Sequence, residues 1–77
     1  MRPFEQDINA LNDALQEMGA LVAQNVHRSV LSLMEKNEDY AHQVLRDEAR
    51  IDQLEIQIDE MATSIIAREQ PPEGWRR

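Results

Sequence analysis

Apolar residues recur at spacings of three and four along almost the whole chain, broken once. In the first run Phe4, Ile8, Leu11, Leu15, Met18, Val22, Val26, Val30 and Leu33 keep that spacing with no proline among them. In the second, Ile51, Leu54, Ile58, Met61 and Ile65 do the same, with Val44 one heptad before Ile51. A 3.6-residue period places such positions on one stripe of a helix. Between the runs lies Asn37-Glu38-Asp39. Asn37 is a good N-cap, and Glu38 and Asp39 then fall where a helix dipole favours negative charge. The pattern predicts helices over about 3–36 and 38–69. So short a break makes them antiparallel. The fold class expected is therefore all-α, a helical hairpin occupying residues 1–70.

The ends of both predicted helices are marked chemically. Pro3 suits a first helical turn, where its missing N–H costs nothing, and Glu5 and Asp7 follow it. The second helix should stop at Gln70-Pro71-Pro72, because proline cannot continue a helix. Residues 71–77 form a short tail, in which Trp75-Arg76-Arg77 reads as a frayed terminus or a weak contact for an acidic or membrane surface. The first helix should be roughly 50 Å long at 1.5 Å per residue.

Two helices alone leave half of each apolar stripe open. With 77 residues and 4% aromatic content, the chain has little from which to build an isolated core. Self-association into a four-helix bundle, as dimer or tetramer, or docking on another protein, is expected. Asn25 and Ser29 interrupt the first stripe and read as a polar seam that sets register. Gly19, with Ala20 and Ala23, allows two readings: a close helix crossing, or a glycine tolerated at about 1 kcal/mol.

The second helix also carries a row of acids. Glu48, Asp52, Glu55 and Asp59 are spaced four, three and four, so they share one face beside the apolar stripe. None has a Lys or Arg three or four residues away. Like charges at i,i+4 cost a few tenths of a kcal/mol per pair. Either a cation or a partner helix supplies the counter-charge, or the row is a solvated face. Hard divalent cations take such oxygens, but a site built on helices needs donors from more than one of them, here from two or more chains. Asp47, at heptad spacing from Leu54 and Met61, should point nearer the core than Glu48, as a further ligand or as a partner of Arg50.

Several function classes are set aside. A net charge of −7 repels a phosphate backbone, so nucleic acid is not an expected partner. No apolar run approaches the length of a membrane span, and no apolar signal core opens the chain. There is no Cys, which fits a reducing compartment. Ser29, Ser32 and Ser64 have no adjacent base pattern, so no enzyme is expected. There is no Gly-rich loop to hold phosphate or nucleotide. His27 and His42 fall at different levels of the hairpin and form no pair. Met18, Met34 and Met61 read as core filler.

The ordered set of segments resembles the PhoU family of bacterial phosphate-signalling regulators. It comprises Phe4-Glu5-Gln6-Asp7, Met18-Gly19-Ala20-Leu21-Val22, Val44 through Asp52, Leu54 through Glu60, and Ile65-Ile66-Ala67-Arg68-Glu69-Gln70-Pro71. The resemblance covers about residues 4–71. It implies an all-α, cytoplasmic, non-enzymatic protein. Such a protein acts with a phosphate ABC transporter and a sensor histidine kinase to hold down the phosphate-starvation response. It also implies metal clusters held by Glu/Asp-x-x-x-Asp motifs, which Glu48–Asp52 matches and Glu55–Asp59 shares in spacing. The metal would be divalent iron, zinc, manganese or magnesium. The chain corresponds to the first two helices of one three-helix bundle. The family's third helix, with the partner metal motif, has no counterpart after Pro71. The readings outside that resemblance are a stand-alone divalent-metal-binding helical oligomer and a purely structural oligomerisation module.

Overall fold

The computed structural model describes residues 3–69. Helix α1 runs Pro3–Glu35 and helix α2 runs Glu38–Glu69, packed against each other as an antiparallel hairpin. The observed bounds sit within one residue of those the periodicity predicts. The expected stop at Gln70-Pro71-Pro72 and the Trp75-Arg76-Arg77 tail lie outside the described residues.

Two residues make the turn, each with its own bonding role. Lys36 adopts φ 51°, the left-handed conformation. The Asn37 N–H donates back to the Ser32 carbonyl at 3.1 Å, closing a Schellman motif on the end of α1. Asn37 then opens α2, its Oδ1 accepting from the Tyr40 N–H at 3.1 Å, as the sequence predicts for an N-cap. Lys36 holds a conformation that costs a residue with a Cβ about 1 kcal/mol. Lys36→Gly is therefore expected to stabilise the hairpin by about 0.5–1 kcal/mol, read as a raised urea midpoint at unchanged helix content.

Four cross-helix bonds fix the register. Arg68 reaches Asp7 at 2.6 Å, Arg50 reaches Glu17 at 2.9 Å, and Arg28 reaches Asp47 at 2.8 Å. Asn25 Nδ2 donates to the Val44 carbonyl at 3.2 Å. The seam of α2 is the expected one. Ile51, Leu54 and Ile65 are buried, and Val44, Ile58 and Met61 are half-buried.

The seam of α1 differs from the expected stripe. It follows Leu11, Ala14, Met18, Leu21, Asn25, Arg28 and Ser32 at heptad spacing, each buried or half-buried. Leu15, Val22, Val26, Val30 and Leu33 lie outside it and are exposed, Val26 to 62% and Leu33 to 79%. The reason is periodicity. An a/d seam returns every 3.5 residues, whereas positions taken mostly four apart drift around the helix and leave it. Asp47 is half-buried, as expected, but its partner is Arg28 across the seam; Arg50 turns instead to Glu17. A Cβ added at Gly19 would meet nothing within 4 Å, so among the described residues no neighbouring backbone crosses there. His27 and His42 are both exposed.

Candidate functional site

The hairpin has two unlike faces. In antiparallel right-handed helices, an equal rotation from the seam in each helix's own sense arrives at the same side of the pair. That rotation meets Leu15, Val22, Val26 and Leu33 on α1 and the acid row on α2. A groove of about 290 Å³ joins the two sets, lined by Val22, Asn25, Val26 and Ser29 from α1 and by Val44, Glu48 and Ile51 from α2. The opposite rotation meets Glu17 and Arg50, an exposed ion pair. The nearby Glu17 carboxylate holds the Arg50 guanidinium above its ordinary range, chiefly through their hydrogen bond. One face is thus apolar on one half and acidic on the other, while its reverse carries the Glu17–Arg50 pair.

Glu48, Asp52, Glu55 and Asp59 are all exposed. The ion pairs among the described residues engage Asp7, Glu17, Asp47 and Glu69, and none touches this row. Asp52, Glu55 and Asp59 line a second, shallow groove of about 650 Å³ with Ile56 and Glu60. Ile56 is 62% exposed, so apolar surface flanks the acids on α2 as well.

Among the described residues no three His, Asp or Glu side chains come close enough to hold one ion. The spacing yields carboxylate pairs, Glu48 with Asp52 and Glu55 with Asp59, each one turn apart. The chemistry of the donors suits a hard cation, but their number in one chain does not.

Asn25 carries the feature that sequence reasoning did not reach. It is 6% exposed, and its Oδ1 is buried with no hydrogen-bond partner among the described residues. The Nδ2 is used on Val44. The neighbouring Ser29 hydroxyl is turned away, donating to the Asn25 backbone carbonyl at 2.6 Å. A buried acceptor left unpaired costs about 1–3 kcal/mol. That orphan oxygen belongs to a residue lining the same groove as Glu48. The polar position was legible as a seam residue, but which of its two ends goes unpaired depends on the register.

The groove at the open end of the hairpin, about 310 Å³, is lined by Asp7, Glu60, Met61, Ser64, Ile65 and Arg68. The Asp7–Arg68 pair that ties the helix ends together forms part of its wall.

A family model described as "PhoU domain" matches residues 15–76. The phosphate-specific transport system accessory protein PhoU homolog of Burkholderia sp is 37% identical over 68 residues, covering 88% of this chain and 29% of that protein. Homolog 1 of Thermotoga maritima is 35% identical, with 88% and 29% covered. The Rhizobium meliloti homolog is 35% identical over 71 residues, with 92% and 30% covered. The chain therefore spans about three-tenths of the length of these curated relatives. No solved structure matches it.

Proposed function

Because the chain belongs to the PhoU domain family, we propose that it regulates phosphate uptake and phosphate-starvation signalling by protein–protein contact. The surface that makes the contact is the apolar and acidic face the hairpin leaves uncovered. The observation that carries this reading is the row Leu15, Val22, Val26, Val30 and Leu33, exposed in a chain that matches the family from residue 15 onward. A single layer of two helices cannot cover it, and exposed apolar surface of this kind marks an interaction site. The relatives are named as accessory proteins of a phosphate-specific transport system. The partners proposed here are accordingly the phosphate ABC transporter and its sensor histidine kinase, met on the cytoplasmic side. The role is regulatory, not enzymatic. Closure of two hairpins into a four-helix bundle would cover the same row, and chain mass by light scattering reads that outcome. Divalent metal enters this reading only where another helix adds oxygen donors to Glu48, Asp52, Glu55 and Asp59.

The test is genetic. A strain deleted for the chain carries a reporter of the phosphate-starvation response and is grown in excess phosphate. Reporter output is expected to rise at least fivefold and to return to its basal level on complementation. Complementation with Val22→Ser/Val26→Ser, which leaves the seam intact, is expected to fail. An unchanged reporter in the deletion strain would sink the reading.

A further inference from the structure

We draw no further inference here: the strongest candidate, a separate opening of the polar half of the seam that Asn25, Arg28 and Asp47 form near the turn, depends on how firmly that half is held, and nothing in the structure shows what covers the apolar row of Val26, Val30 and Leu33 beside it.

Discussion

Leu54→Ala is expected to cost about 2–5 kcal/mol, enough to remove half or more of the stability of a chain this size. Leu54 is the most deeply buried large side chain described, at 1% exposure. Among the described residues the other buried apolar side chains are Ala14, Ile51 and Ile65, so the seam has little with which to refill the void. The smallest dimension of the hairpin is 14 Å, about one helix with its side chains. No second layer can collapse onto the cavity. The measurement is urea denaturation followed by far-UV circular dichroism, with Leu45→Ala as control. Leu45 is 68% exposed, and its truncation is expected to shift stability by no more than about 0.5 kcal/mol. Equal losses in the two variants would show that the α1–α2 seam is not what holds the helices together.

Asn25→Leu should act in the opposite direction and stabilise the hairpin by about 1–2 kcal/mol. The substitution removes a buried oxygen that has no donor and puts a branched alkyl chain between Val22, Val26 and Ile51. What it gives up is the Nδ2 bond to the Val44 carbonyl, a group inside α2 that the helix itself can satisfy. Replacing polar groups in a seam by apolar ones commonly raises stability and relaxes register. The same variant is therefore expected to melt higher. A lower urea midpoint would mean that Oδ1 has a donor after all.

How much of this could be read from the sequence differs between the two helices. In α2 the apolar positions Ile51, Leu54, Ile58, Met61 and Ile65 fit a heptad, so the seam was legible. Helix α1 holds two apolar rows. Hydropathy favours the longer one, which runs through Leu15, Val22, Val26, Val30 and Leu33. The seam takes the other and continues through Asn25, Arg28 and Ser32, because Val44 and Asp47 stand opposite and bond to Asn25 and Arg28. Choosing between two rows needs the partner helix, which a one-helix pattern does not contain. The same holds for ion pairs: i,i+3 spacing suggests Asp47 for Arg50, while the fold gives it Glu17. The acid row was legible because its spacing alone puts it on one face. Its position beside the uncovered apolar row was not, since that depends on the register of two helices.

The division of the seam into halves has a kinetic consequence. Near the turn it is largely polar, with Asn25, Arg28 and Ser32 of α1 bonded to α2 or to their own helix. The apolar part begins only around Leu21 and Ile51 and runs to the open end. A chain starting to fold at its turn gains little there. It must first close a loop of roughly thirty residues before apolar rungs meet, although each doubling of a loop adds only about 0.6 kcal/mol. Such a hairpin is expected to nucleate at the Leu21–Ile51 rungs and to close from there toward the open end and the turn. Truncations around Leu54 should slow the folding limb of a chevron, while changes at Lys36 should move mainly the unfolding limb.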